Sequence, residues 1–321
     1  MLTAAQFVMA TTVWRRFAFI DDMGYDLAFF NQGFYRALHG DPGFHSTIQQ
    51  FIQTPIYHGR ILASHFSPIF YLLLPAYAVW PSPPTLLFIA AAAVAVSGLS
   101  VLLVARHFAA NSGVAAGLAA VWFTLFALHP SVSWSVVENA FREAFLGAAF
   151  LSLALLFYIK DSRRAFFLMI ALALLCKEDV ALALPVWGAV AWFQGKGRRF
   201  AGALAVLGAL WFVAVTAVVQ SLLRGQHVGR VHFEALVSPL GASPGNILHS
   251  ILSSPHTLVQ VALTRQALDY WTALLAPLLF LPLLGWEYFV IPAYVYAEIT
   301  LAPELRQIPP GISSLRCRSS S

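Results

Sequence analysis

Long apolar stretches alternate with short polar breaks along this chain, and that alternation predicts its elements. A helix needs about 20 apolar residues, at 1.5 Å rise each, to cross a bilayer. Residues 84–105, 113–130, 143–159 and 200–222 meet or approach that length. Shorter or interrupted apolar runs occupy 66–80, 165–194 and 271–302. The second is split by Lys177, Glu178 and Asp179, and the third around Trp286 and Glu287. Residues 1–13 are apolar and precede Arg15 and Arg16, the reverse of the order in a signal peptide, so they read as a shortened first membrane helix. Backbone polar groups in lipid must be satisfied within the segment, so the expected fold is an all-α polytopic membrane helix bundle of about 8–9 segments.

Two stretches, 21–64 and 223–270, are polar enough to lie outside the lipid. Residues 1–305 therefore read as a single polytopic membrane domain with two large outer loops. Residues 306–321, ending in LRCRSSS, read as a truncated or disordered tail. Within the first outer loop, Leu27, Phe30, Phe34 and Leu38 fall at helical spacing, with Asn31, Gln32 and Arg36 elsewhere. That pattern predicts an interfacial amphipathic helix.

Composition supports the class and adds orientation. Hydrophobic residues make up 59% of the chain, charged residues 10%, and mean hydropathy is +0.73. A soluble domain carries about 25% charged residues, so an integral, multi-pass membrane protein is expected. The net charge of +5 does not point to nucleic acid, because the basic residues cluster between apolar segments. Arg106, then Lys160 with Arg163 and Arg164, then Lys196 with Arg198 and Arg199, all become cytoplasmic under the positive-inside rule.

An even number of crossings must then separate Arg164 from Lys196. Residues 165–176 would run outward and 180–194 return, with the charged triplet at the tip. Twelve residues span about 18 Å, short of a core about 30 Å thick, so the tip would lie in a wet, protein-walled cavity. The alternative is one long tilted helix with the triplet near its middle.

This topology gathers candidate chemistry on the outer side: segments 21–64, 129–142 and 223–270, with His65, Glu138, Glu143 and the triplet. Asp26 opens the amphipathic helix, where a carboxylate can simply cap free N–H groups or can do chemistry. Asp21 and Asp22 lie just ahead of it, as loop acids or as reacting groups. His65 can cap or snorkel, or can bind phosphate or metal or carry a proton. Glu143 opens a spanning helix beside Arg142, so capping alone accounts for it, as does a role at the site. Charges inside a membrane are costly unless paired or wetted, so the triplet either locks helices together or serves function. His39, His45 and His58 match no metal spacing, and Cys176 and Cys317 form no disulfide framework. No Walker A, dinucleotide, HExxH or GxSxG motif is present.

Five short motifs occur in order: YDLAFF-Q (Tyr25 to Gln32), HFSPIFYLL-P-YA (His65 to Ala78), FREAFL (Phe141 to Leu146), KEDVAL (Lys177 to Leu182) and PLLFLPLL (Pro277 to Leu284). Together they resemble the bacterial polytopic membrane family catalogued as domain of unknown function 2079, from about residue 15 to 305. That family in turn resembles the GT-C class of membrane glycosyltransferases.

The resemblance implies sugar transfer from a polyprenyl-phosphate donor on the extracytoplasmic face, with membrane lipid and lipid-linked sugar as partners. It implies an essential acid in the first outer loop: Asp26, or else Asp22 or Asp21. Asp26 would be the base, or a ligand if a divalent cation assists. His65 and Lys177 would contact phosphate, while Glu143, Glu178 and Asp179 position them or the acceptor. Here the first helix is short and a Ser/Arg tail replaces the apolar continuation, so a truncated or frameshifted member is expected. The rival readings are a transporter or flippase for a polar or lipid-linked solute, and a non-catalytic membrane scaffold.

Overall fold

A computed structural model describes residues 24–47, 60–108, 117, 121, 124–125, 129, 132, 140–219, 222–223, 249, 253, 256, 264–293 and 295–296. The chain divides into two compact units, one formed by Met1–Ala181 with Leu210–Gln226, the other by Leu182–Ala209 with His227–Ser321. Among the described residues every regular element is helical, and the β pairing is an isolated bridge between His45 and Arg60.

In the first unit, α1 (Gly24–Leu38) forms where the pattern predicts it, with Asp26 in its first turn and Arg36 in its last. Both charges suit the helix macrodipole. Its apolar face is Leu27, Phe30 and Phe34, all buried. That face packs against α3 (Ile69–Val79) and α4 (Pro83–Phe108). Four rings surround Phe34: Phe44 at 5.2 Å, Phe70 and Tyr77 at 5.3 Å, and Phe141 at 6.0 Å between centroids. Phe30 meets Phe141 at 5.2 Å, edge to face. Such pairs add about 0.5–1.5 kcal/mol each beyond area burial. The amphipathic face thus finds a protein core, and the helix is fixed in place beneath Asp26.

Gly33 permits that docking. A Cβ there would lie 2.4 Å from the Ile61 side chain and 3.1 Å from the Phe44 carbonyl oxygen. Ile61 belongs to the short helix α2 (Ile61–Ser64), whose C-terminal flank is His65. Next to these elements, α5 (Glu143–Ile159) packs against α4 and α6 (Arg163–Leu174).

The apolar run 165–194 is not one continuous helix. After α6 the chain breaks at Leu175 to Lys177, makes a 3-10 turn at Glu178–Leu182, and resumes as α7 (Ala183–Phe193). Pro185 sits in the first turn of α7, where its missing N–H costs no helical bond. This removes the alternative of one long tilted helix carrying the triplet.

In the second unit, α7 closely approaches the first twelve residues of α8 (Arg198–Val213), whose end from Leu210 belongs to the first unit; a Cβ at Gly188 would lie 2.6 Å from the Ala201 carbonyl oxygen. The interruption expected at Trp286 and Glu287 lies earlier. Helical residues Ala267–Leu278 and Leu281–Phe289 meet at a 91° bend. Leu279 and Phe280, both left-handed at φ 53° and 56°, form the corner between Pro277 and Pro282. Each left-handed residue costs roughly 1–2 kcal/mol. Charge interrupts hydropathy, but prolines and left-handed backbone interrupt the helix. Tyr296 braces the bend, with Trp271 edge-on at 5.0 Å and Phe289 stacked at 4.8 Å.

Pro83–Phe108 and Arg198–Thr216 are long and apolar enough to cross a membrane, and the bent pair makes a third candidate span. Ile69–Val79 and Glu143–Ile159 are apolar but shorter. The count of eight to nine segments goes beyond these, and residues 1–13 and most of 113–130 lie outside the described residues.

Candidate functional site

The site is organised at the start of α5. Arg142 is extended (φ −146°, ψ 147°) and precedes the helix, so its side chain projects away from the α5 axis. It reaches Asp26, donating from Nη2 at 2.6 Å and from Nε at 3.0 Å to the same oxygen, Oδ2. Asp26 is therefore held by a guanidinium from another motif as well as placed in a helical first turn. Half of the Arg142 side chain (49%) stays in contact with the surroundings.

A second pair lies deeper. His65 Nδ1–H donates to Glu178 Oε1 at 3.1 Å, and the Phe66 backbone N–H donates to Glu178 Oε2 at 2.9 Å. Glu178 is only 13% exposed. The break after α6 is what brings it there: the Ile69 N–H donates to the Leu175 carbonyl at 3.0 Å, seating the turn against the start of α3. Burial alone would lower the affinity of His65 for a proton, but the Glu178 carboxylate and its hydrogen bond outweigh it and raise the imidazole above its ordinary value. Lys177 in turn pairs with Asp179, a buried acid two residues along. Consecutive charges thus take different partners, as the helical stagger of a tight turn requires.

Glu143 is 5% exposed, and no described residue gives it a hydrogen bond or an ion pair. It lies on the same face of α5 as Gly147, the face that meets Cys176 and Val180. Gly147, one turn further along α5, keeps that approach open, with Cys176 and Val180 at ordinary contact distance from where a Cβ would stand. Asp26, His65, Glu143, Lys177, Glu178 and Asp179 all belong to the first unit. Asp21, Asp22 and Glu138 lie outside the described residues.

A family model described as "Predicted membrane protein (DUF2079)" matches residues 20–304. The chain belongs to the DUF2079 family. It is an integral membrane protein by that match and by its long apolar helices. No curated protein and no solved structure matches it. In this DUF2079 member, the motifs that are scattered in sequence pair up in space. Asp26 and Arg142 join YDLAFF to FREAFL, while His65, Ile69 and Glu178 join HFSPIF to KEDVAL.

Other residues of the region are ones the sequence does not single out. Arg142 stands inside FREAFL, but nothing in the sequence marks Asp26 as its partner. Gln32, the last residue of the first motif, receives the Ser46 hydroxyl and the Thr47 N–H on Oε1, both at 2.8 Å. His45 donates from Nδ1 to Asp41, and Arg60 donates from Nε to His45 Nε2 at 3.1 Å. Burial opposes ionisation of Asp41, but the hydrogen bond from His45 prevails and holds its carboxyl below the usual range. Ser67 and Trp211 each carry a buried polar atom, Oγ and Nε1, without a hydrogen-bond partner. Among the described residues no group of three or more His, Cys, Asp and Glu side chains could hold a metal ion.

Proposed function

We propose that this protein is a GT-C-like membrane glycosyltransferase that takes a sugar from a polyprenyl-phosphate donor on the extracytoplasmic face. The observation that supports the reading is that an Arg-held carboxylate and a His–Glu pair each join distant motifs within the first unit. Transfer needs a carboxylate to accept the acceptor's proton and cations to steady the departing phosphate. Asp26 suits the first role. Its Oδ2 is fixed by Arg142, and Oδ1 has no described partner. His65 and Lys177 supply positive charge beside the centre, each on its own acid, Glu178 and Asp179. The acceptor oxygen attacks the anomeric carbon, its proton passes to Asp26, and the lipid phosphate leaves with the bonding electrons.

A transporter or flippase is the second reading, favoured by the broken helices at Leu175 to Lys177 and at Leu279 and Phe280. Discontinuous helices line substrate sites in many transporters. Reconstituted protein supplied with a labelled polyprenyl-phosphate hexose separates the two. Sugar appearing on an acceptor supports the transferase. Movement of the intact lipid or a polar solute across proteoliposomes, with no transfer, replaces it with the second reading.

A further inference from the structure

Buried polar groups in folded proteins are almost always hydrogen-bonded, so orphans clustered in one place call for a partner from outside the chain. Two such groups border the segment His65-Phe66-Ser67, and a buried acid stands on the neighbouring helix. Ser67 is 1% exposed and its Oγ has no hydrogen-bond partner. Trp211 leaves Nε1 buried and unpartnered, and its ring lies against Phe66 with centroids 6.5 Å apart. Glu143, nineteen-twentieths buried, lies one turn before Gly147 on the face of α5 that meets Cys176 and Val180, and no described residue gives it a hydrogen bond or ion pair. The remaining acids of the centre are all engaged: Asp26 by Arg142, Glu178 by His65 and Phe66, and Asp179 by Lys177.

From this geometry we infer that Glu143, Ser67 and Trp211 form a binding subsite for a neutral polyhydroxylated headgroup. The unused capacities are complementary to hydroxyls. A carboxylate accepts only, an indole N–H donates only, and a serine hydroxyl does both, so one ligand hydroxyl can donate to Glu143 while another accepts from Trp211. A phosphate or carboxylate ligand would meet Glu143 as a like charge. A metal ion would need more ligating groups than the described residues bring together. The subsite rests on the transferase reading and adds to it a place for the sugar itself, apart from the Asp26–Arg142 pair and from the cations that face phosphate.

The test uses the purified full chain in detergent micelles, with thermal unfolding as readout. Three probes are compared: a polyprenyl-phosphate hexose, the same polyprenyl phosphate without sugar, and a free methyl hexoside. The subsite predicts that the sugar-bearing lipid raises Tm more than the bare lipid. Glu143→Gln should weaken that sugar-dependent increment about 10–100-fold in ligand concentration, and Trp211→Phe and Ser67→Ala about 3–10-fold. Without ligand, Trp211→Phe and Ser67→Ala should unfold at or above the wild-type temperature, because each removes an orphaned group. An equal response to both lipids and none to the methyl hexoside overturns the subsite even if the protein transfers sugar. An increment from the methyl hexoside that Glu143→Gln abolishes, with neither lipid bound, upholds the subsite and removes the lipid-phosphate reading. A lowered Tm in ligand-free Ser67→Ala and Trp211→Phe also overturns it, since those groups would then be structural.

Discussion

Two ion pairs tie distant motifs together in this protein, and they differ in how deeply they are set. In Asp26–Arg142 the side chains are 19% and 49% exposed, whereas in Glu178–His65 they are 13% and 28%, and Glu178 also receives a backbone N–H. An exposed pair contributes about 0–1 kcal/mol to stability, while removing one partner of a buried pair costs about 3–5 kcal/mol. The shallow pair therefore contributes little to folding, as the proposed use of Asp26 as a base requires. The deep pair has a structural duty, pinning the broken helix after α6 to the head of α3, and any chemistry at His65 is conducted through it.

That contrast can be broken most forcefully at Glu178. Glu178→Ala strands the Phe66 N–H and leaves His65 without its acid, and should cost about 3–5 kcal/mol in thermal or denaturant unfolding. A loss under about 1 kcal/mol would put both pairs in the shallow class. Next in size is Gly33→Ala, which forces a Cβ against Ile61 and the Phe44 carbonyl and should cost about 1–3 kcal/mol. Because Gly33 lies on α1, the same helix as Asp26, that variant should also impair function by displacing the carboxylate, unlike a surface change.

A smaller effect follows from His65. Its proton affinity is raised in the folded state, so the pair's stabilisation is fully present below the unfolded imidazole value of about 6.5 and is lost as pH rises through the higher folded value. The stability gap between wild type and Glu178→Gln should narrow over that window. A gap that widens with rising pH would reverse the assignment. Arg142→Gln should have the smallest effect on stability, about 0–1 kcal/mol, and that effect should shrink with added salt.

The sequence makes parts of this arrangement legible and hides others. The stripe Leu27, Phe30, Phe34 locates α1 correctly because helical periodicity is local. It cannot reveal that the stripe meets Phe70 and Phe141 rather than lipid, since both burials demand the same apolar residues. The charged triplet marks the broken segment because charge in an apolar run is conspicuous, and α6 does end beside it. The sharper bend at Leu279 and Phe280 is silent, because leucine and phenylalanine do not advertise a left-handed backbone. Among site residues, Asp26, His65, Glu143 and the triplet stand out as ionisable groups near apolar segments. Their partners do not, because Arg142 pairs with Asp26 across 116 positions and Glu178 with His65 across 113. Ser67 and Trp211 carry no signal at all, since an orphaned hydrogen bond exists only in three dimensions.

The most direct measurement is sugar transfer from a polyprenyl-phosphate hexose by Asp26→Asn, with Tm taken on the same preparation. Asparagine keeps the shape and removes the base, so transfer should fall about 100-fold or more while Tm stays within a few degrees of wild type. Transfer at the wild-type rate would contradict the account. So would a collapse in Tm, which would make Asp26–Arg142 a structural pair like His65–Glu178.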